Sequence, residues 1–198
     1  MPAGSLGPEA FVVDGRHYMY FPPFPALLRL PLQLVTDELD GDVTTVSLLA
    51  AWVVTVVLTS MLVWRLRTAS APGRPLGRLE PWWYAGFVVA VGGGSVLLFV
   101  AALPWVFHES YAWGIAGAVG AAFGLFGLFE RPSLGGAVAT GAWTLVAVMS
   151  RTTAGWAMGL AVAACAVWFL LGRRGPQGRS VWWAVAAAAV VPLGIGAA

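Results

Sequence analysis

The chain has very little charge: 10% of its 198 residues are charged, whereas 59% are hydrophobic. A soluble domain usually contains about 25% charged residues, because its water-facing surface is built from them. This composition excludes a soluble globular domain. It also excludes a disordered chain, which needs high charge and few apolar residues. A membrane protein with several spans remains, in which apolar surface faces lipid.

Other absences narrow the chemistry. Cys165 is the single cysteine, so the sequence offers neither a disulfide framework nor a cysteine metal site. The chain has two histidines, and its His, Cys, Asp and Glu residues show no zinc-ligand spacing, so we predict no metal site. Lysine and asparagine are both missing. We attribute this to the codon bias of a GC-rich genome, because no membrane mechanism would exclude both.

Long apolar runs predict the fold class. A bilayer core about 30 Å thick needs roughly 20 helical residues. Six runs approach that length, at residues 46–64, 82–107, 111–129, 133–149, 153–171 and 181–198. None alternates polar and apolar residues as a barrel strand must. We therefore predict an all-α fold, a polytopic transmembrane helix bundle of about six spans over residues 46–198, preceded by a proline-rich extracytoplasmic segment at residues 1–45.

Arginine placement orients this bundle. Loops 65–80 and 172–180 and the turn 130–132 fall on one side of six alternating spans and hold 8 of the 11 arginines. The other side holds 3 arginines and 7 of the 9 acids. By the positive-inside rule we predict a multi-pass protein of the cell membrane with cytoplasmic arginine loops and an outward N-terminal segment. Seven tryptophans near span ends are expected to anchor in the interface: Trp64, Trp82, Trp83, Trp105, Trp168, Trp182 and Trp183.

The outward N-terminal segment contains a polar cluster. Asp14–Gly15 is a turn signal between apolar residues. Arg16, His17, Tyr18 and Tyr20 follow it within a few positions and supply several hydrogen-bonding groups. The cluster is interpreted either as part of a binding site or as a plain extracytoplasmic loop.

Prolines follow this cluster. A long regular helix over residues 21–31 is not expected, because four prolines occur there: Pro22, Pro23, Pro25 and Pro31. The apolar stretch 26–35 is too short to span a bilayer. We expect it to lie in the interface as a short helix or to re-enter the membrane, with Arg29 snorkelling toward water.

Two further polar features lie between predicted spans on the outer side. In the turn 107–111, His108 and Glu109 are either a proton-transfer pair or cation site, or polar residues tolerated in an exposed turn. Arg151 follows an apolar run and precedes another. It either snorkels to headgroups or pairs with an anion such as a lipid phosphate.

Glycines in the third run recur every three or four residues, at Gly114, Gly117, Gly120, Gly124 and Gly127. On a helix this spacing puts them on one face and permits close approach by a neighbouring helix. The run 92–94 is expected to be a similar flat patch. Neither run joins a strand to a helix, so no phosphate-binding loop is predicted. The arginine loops are interpreted as headgroup contacts, and no nucleic-acid partner is expected.

Three segments carry a family resemblance. Residues 13–28, VDGRHYMYFPPFPALL, resemble the outward "DG-x-x-Y…PP-x-PALL" segment of GT-C-type membrane glycosyltransferases that depend on polyprenyl-phosphate sugars, including bacterial protein-mannosyltransferase-like proteins. Residues 107–114, FHESYAWG, look like the "H-E-x-x-x-W-G" turn of such proteins. Residues 149–151, MSR, look like the "T-R" end of a later helix. The order and spacing of the three segments fit over residues 12–155.

The resemblance implies transfer of a sugar from a polyprenyl-phosphate donor in the lipid bilayer to an acceptor at the outer face. It implies site-lining roles for Asp14, Arg16, His17, Tyr18, Tyr20, His108, Glu109 and Arg151. Arg151, together with Arg16, would meet the lipid phosphate. No cofactor is predicted, although a divalent cation stays an open option.

The catalytic base is the missing part of this interpretation. The chemistry needs a carboxylate to take the acceptor proton. Family members usually carry it in the first outer loop, which would precede Met1 here. The acid–base candidates within the chain are Glu109 and His108, and neither is assigned the role. An outward segment without a preceding helix, and an apolar run that reaches Ala198, lead us to expect that the chain is a piece of a longer protein.

Two alternatives compete with an enzyme. One is a non-enzymatic assembly partner whose glycine-striped helix docks another helix through Gly114, Gly117, Gly120 and Gly124. The other is a transporter. It is disfavoured because the spans contain almost no internal charge and no inverted repeat of broken helices.

Overall fold

The computed structural model describes residues 10–13, 16–19, 23–33, 43–103, 106–171 and 176–195. The regular secondary structure of these residues is helical apart from one small antiparallel ribbon. The elements are β1 (Ala10–Val13), β2 (Arg16–Met19), α1 (Pro23–Gln33), α2 (Val43–Ser70), α3 (Glu80–Gly93), α4 (Val96–Ala102), α5 (Val106–Glu130), α6 (Leu134–Ser150), α7 (Thr152–Leu171) and α8 (Pro176–Ile195). The predicted helical architecture is confirmed, and the ribbon is an addition to it.

Three helices are long and apolar enough to cross a membrane, namely α2, the Phe107–Glu130 part of α5, and α7. Together α3 and α4 make a fourth candidate span, bent by 43°. The apolar helices α6 and Val181–Val190 within α8 are shorter. Each of the six predicted runs thus contains helix, and the chain has the helices of a membrane protein. Six complete spans and an outward N-terminus stay predictions.

The second predicted span is not one helix, contrary to the expectation from run 82–107. It breaks between Gly93, the last residue of α3, and Val96, the first of α4. Glycine is a poor helix former, and serine is favoured at the start of a helix. Accordingly, the Ser95 hydroxyl accepts a hydrogen bond from the Leu97 N–H at 3.2 Å and caps α4.

The expected flat patch at residues 92–94 is only partly a packing surface. A Cβ built on Gly92 would lie 3.3 Å from a Val56 methyl group of α2. The Trp52 indole of α2 donates a hydrogen bond to the Gly92 carbonyl at 2.9 Å. Nothing lies within 4 Å of the corresponding Cβ on Gly93. Only Gly92 therefore contributes to packing, and the next residues break the helix.

The proline-rich segment forms α1, although its prolines predicted no long regular helix. Pro23 and Pro25 fall in the first turn, where backbone N–H groups have no intrahelical acceptor, so their missing donors cost little. Pro31 lies inside the helix, in its last turn. At 11 residues, roughly 16 Å, α1 is shorter than a span, as the stretch 26–35 predicted.

The glycine stripe of α5 is a packing face, as predicted, and α6 of the same chain covers it. A Cβ built on Gly117 would lie 2.5 Å from the Ala147 backbone nitrogen, and one on Gly124 would lie 2.6 Å from the Thr140 hydroxyl oxygen. Both distances are shorter than van der Waals contact. The matching positions run in opposite order along the two helices, so α5 and α6 are antiparallel.

The helix ends gather at two opposite ends of the bundle. At one, which we call the α1 end, α1 meets the starts of α2 and α5. At the other, the arginine end, Arg67 pairs with Glu80 at 2.8 Å and Arg65 with Glu130 at 3.6 Å. These pairs join the end of α2 to the start of α3 and to the end of α5.

The arginine end also includes the end of α7 and the start of α8. Phe129 of α5 lies 5.0 Å from Phe169 of α7, whose ring stacks on Trp182 of α8 at 4.1 Å. Trp182 is only 2% exposed, so its predicted role as an interface anchor is wrong: it is a core residue. Trp105 lies outside the described residues.

Glycine packing in α5 can be tested by adding one methyl group. Gly117→Ala is expected to destabilise the protein by about 1–3 kcal/mol, because the backbone of α6 must move to admit the new atom. Gly86→Ala is the matched control, since nothing lies within 4 Å of its Cβ. It should leave the melting temperature unchanged or raise it. Thermal unfolding in detergent measures both, and equal melting temperatures would contradict the packing.

Candidate functional site

The most unusual feature of the α1 end is a buried ion pair between Arg29 of α1 and Glu109 of α5. The Glu109 side chain is fully buried, and that of Arg29 is 23% exposed. Arg29 also donates to the Thr44 hydroxyl, in the first turn of α2, at 2.9 Å. One guanidinium thus joins three helices. Arg29 is not a snorkelling residue, contrary to the sequence expectation.

Glu109 itself does not lie in an exposed turn, contrary to one interpretation of residues 107–111. It belongs to the first turn of α5. A buried carboxylate is costly unless it is paired, and Arg29 supplies the opposite charge. Its Oε1 atom has no hydrogen-bond partner among the described residues. The pairing explains how an acid is accommodated there, and it gives Glu109 a role in fixing α1.

An apolar contact reinforces this docking. Phe24 of α1 packs edge-on against Trp113 of α5, with 5.3 Å between ring centroids. The Trp113 indole N–H donates to the Ser47 hydroxyl of α2 at 2.9 Å. Trp113 belongs to a buried cluster that includes Leu48 and Ala112. α1 is therefore held by a charged contact and an aromatic contact at the same end of the bundle.

Arg151 lies between α6 and α7 and packs on a different face of α5. Its guanidinium carbon lies 3.6 Å above the centre of the Tyr111 ring, and the guanidinium also donates to the Tyr111 hydroxyl. Its backbone caps α6 in an extended conformation, at φ −151° and ψ 102°. A Cβ on Gly114 would lie 2.8 Å from the Arg151 Cβ, so glycine is needed for this approach.

An open pocket of about 480 Å³ adjoins Arg151. It is lined by Tyr111, Gly114, Ile115, Arg151, Thr153 and Ala154. Thr153 and Ala154 belong to the first turn of α7, where backbone N–H groups have no intrahelical acceptor. The pocket combines a cation, hydroxyls and helix-start N–H groups with apolar walls, which suits an anionic group carrying an apolar chain.

The structure separates the two acid–base candidates from this pocket. Glu109 and Tyr111 are two positions apart on α5, so their side chains point roughly 200° apart around the helix. His108 faces α4, with its Nδ1 atom 3.0 Å from the Leu103 carbonyl oxygen. Because a carbonyl can only accept, Nδ1 is the donor in this bond. Neither His108 nor Glu109 lines the pocket.

The N-terminal candidates are described only in part. Asp14 and Tyr20, with the turn predicted at Asp14–Gly15, lie outside the described residues. Arg16, His17 and Tyr18 lie on β2, which pairs with β1 so that Val13 is opposite Arg16. The structure describes the backbone of these three residues and not their side chains. Their proposed contact with substrate stays a prediction.

Sequence reasoning missed two contacts at the α1 end. It assigned Tyr111 no role beyond marking a span boundary, and it treated Arg29 and Glu109 separately. The available signal was charge. Arg29, Glu109 and Arg151 are charged residues within or beside apolar stretches, and a charge in such a place needs a partner. In the part of the chain that the structure describes, no three His, Cys, Asp or Glu residues are grouped to hold a metal ion.

The ion pair predicts an asymmetric response to substitution. Arg29→Met should destabilise the protein by about 3–5 kcal/mol, because Glu109 is left buried and unpaired. Adding Glu109→Gln should recover much of that loss, since the carboxylate charge is then removed as well. Arg131→Met, which changes an exposed arginine at the other end, is the control. Unfolding in detergent provides the measurement, and additive effects of the two substitutions would count against the pair.

Comparisons with protein-family models, with curated protein sequences and with solved structures find no match for this chain.

Proposed function

We propose that this protein is an integral membrane glycosyltransferase-like protein that takes a sugar from a polyprenyl-phosphate donor. In this proposal it lies in the cell membrane with the α1 end at the outer face and the arginine end toward the cytoplasm. Five arginines with described side chains at the arginine end support that orientation, namely Arg65, Arg67, Arg74, Arg78 and Arg131.

One observation carries the proposal: the three segments that resemble GT-C-type enzymes meet at the α1 end. Phe24, from the proline-rich segment, packs on Trp113 of the "H-E-x-x-x-W-G" segment. Gly114, the last residue of that segment, lies against Arg151 of the third. The segments are far apart in the sequence, so their meeting supports a shared site rather than three unrelated matches.

The Arg151 pocket is the proposed site of the donor phosphate. A guanidinium carries a permanent charge and donates hydrogen bonds in the planar geometry that phosphate oxygens accept. Stacking on Tyr111 fixes its orientation, and Thr153 lies on the same pocket wall. The apolar lining residues Ile115 and Ala154 suit the first part of a prenyl chain. A phosphate there would lie at the end of the bundle, at headgroup depth.

In the proposed reaction an acceptor oxygen attacks the anomeric carbon of the sugar. The bond from that carbon to the phosphate oxygen breaks, and the phosphate leaves with the electron pair. Arg151 stabilises the negative charge that develops on the leaving phosphate. The acceptor proton passes to a base that we do not assign to any described residue. We assign Glu109 to holding α1, because its carboxylate is buried and paired with Arg29.

The alternative of an assembly partner rested on the glycine face of α5. That face is covered by α6 within the chain, so Gly117 and Gly124 are already occupied. No other described feature favours this alternative.

Donor binding can be tested with polyprenyl phosphate and the purified chain in lipid nanodiscs. Arg151→Ala should weaken binding about tenfold or more, because a charge-assisted hydrogen bond contributes roughly 1.5–3 kcal/mol. Arg151→Lys should bind with intermediate affinity, since lysine keeps the charge but loses the planar, stacked geometry.

Gly86→Ala, whose added methyl group has no atom within 4 Å, is the control and should bind as the unchanged chain does. Equal affinities for the Arg151→Ala and unchanged chains would remove Arg151 from the donor site. Transfer of a labelled sugar from a polyprenyl-phosphate donor, measured in the same nanodiscs, then tests the reaction itself.

A further inference from the structure

The arginine end exposes a group of large aromatic rings. Five tryptophans there are exposed, namely Trp64 (42%), Trp82 (76%), Trp83 (77%), Trp168 (76%) and Trp183 (62%). They come from the end of α2, the start of α3, the end of α7 and the start of α8. In the part of the chain that the structure describes, the one exposed tryptophan nearer the α1 end is Trp156, at 37%. The exposed tryptophans are thus strongly one-sided.

Positive charge accompanies these rings. The side chains that the structure describes at this end include five arginines and two glutamates. Arg65 and Arg67 pair with Glu130 and Glu80 respectively, so three positive charges remain in excess. The other three arginines, Arg74, Arg78 and Arg131, are exposed.

The loop that carries two of these arginines is held in place by its own polar contacts. Arg67 donates to the Arg74 carbonyl at 3.1 Å and to the Pro75 carbonyl at 3.3 Å. The Glu80 carboxylate accepts a hydrogen bond from the Gly77 N–H at 3.0 Å. Gly73, at φ 73°, makes the left-handed turn that starts the loop. Arg74 and Arg78 therefore lie on a loop whose conformation is fixed by hydrogen bonds.

We propose that the arginine end is a binding surface for anionic phospholipid headgroups. Indole rings prefer the depth at which acyl chains meet headgroups, and they fix the height of the bundle there. At that height Arg74, Arg78 and Arg131 lie beside lipid phosphates, where each basic side chain attracts anionic lipid. The surface does not depend on the proposed transferase activity, because the Arg151 pocket lies at the opposite end.

The occupant is a lipid rather than a free phosphate, because free phosphate would leave five exposed indoles in water. It is anionic rather than zwitterionic, because the surface has an excess of positive charge that a net-neutral headgroup balances poorly. Both requirements are met by a phospholipid with a net negative headgroup, such as phosphatidylglycerol.

Tryptophan fluorescence in vesicles of phosphatidylcholine and phosphatidylglycerol tests this surface. Bromine atoms on a lipid quench nearby indoles, so either lipid is brominated in turn at equal mole fraction. Brominated phosphatidylglycerol should quench more strongly, with about a fivefold enrichment per arginine engaged. High salt should reduce the difference because it screens surface charge. Equal quenching by the two lipids would overturn the proposal.

The combined variant Arg74→Gln, Arg78→Gln and Arg131→Gln should remove the preference while retaining the circular dichroism of the unchanged chain. Trp156→Phe removes the indole nearer the α1 end and should leave the preference intact. If the triple variant is not folded, Trp82→Phe with Trp83→Phe should still lower the quenching by phosphatidylglycerol. Loss of the preference on adding inorganic phosphate would identify a free-anion site and contradict a lipid surface. Persistence of the preference for phosphatidylglycerol in a folded triple variant would also contradict the proposal.

Discussion

The arrangement of the α1 end depends on one buried ion pair, between Arg29 and Glu109. A carboxylate at the start of an apolar helix would be expensive without a cation, and α1 brings that cation from 80 positions earlier in the chain. The same guanidinium reaches Thr44, so the starts of α2 and α5 are held at a common level. The pair thus determines where the proline-rich segment lies against the starts of α2 and α5.

α5 is the helix around which the other described elements are organised. Its glycine face admits α6 to backbone contact, while Trp113 on another face bonds to Ser47 of α2. Near its other end, the Arg65 guanidinium of α2 lies 4.3 Å from the centre of the Phe123 ring. The glycines lie on one face, and Glu109 and Trp113, which are four residues apart, lie on another, so α6 meets a chemically different surface from α1 and α2. Such differences fix which helix packs where without a large apolar driving force between them.

Sequence pattern within one segment was enough to predict helix in each apolar run and the close packing of the glycines. It failed where the burial of a side chain depended on a residue of another segment. Apolar run length predicted that every run contains helix, although not the break within run 82–107, and glycine spacing predicted close packing on α5. Trp182 has the same sequence context as its neighbour Trp183, yet it stacks on Phe169 and is buried. The burial of Glu109 likewise depends on Arg29, which lies far away in the sequence. Run length and spacing are properties of one segment, whereas burial of a particular ring or charge is a property of two.

The bend between α3 and α4 frees backbone polar groups, which are costly in lipid unless they find another hydrogen-bond partner. In an unbroken helix the Gly92 carbonyl would accept the N–H of Val96 four residues on, and a break leaves such a group without its acceptor or donor. Here the Trp52 indole donates to that carbonyl from the neighbouring helix. A side chain of α2 thus replaces a backbone hydrogen bond that the break removes, and in this way α2 stabilises the broken span. The kink is in this sense a property of two helices, because a carbonyl group at the bend of one is bonded by a side chain of the other.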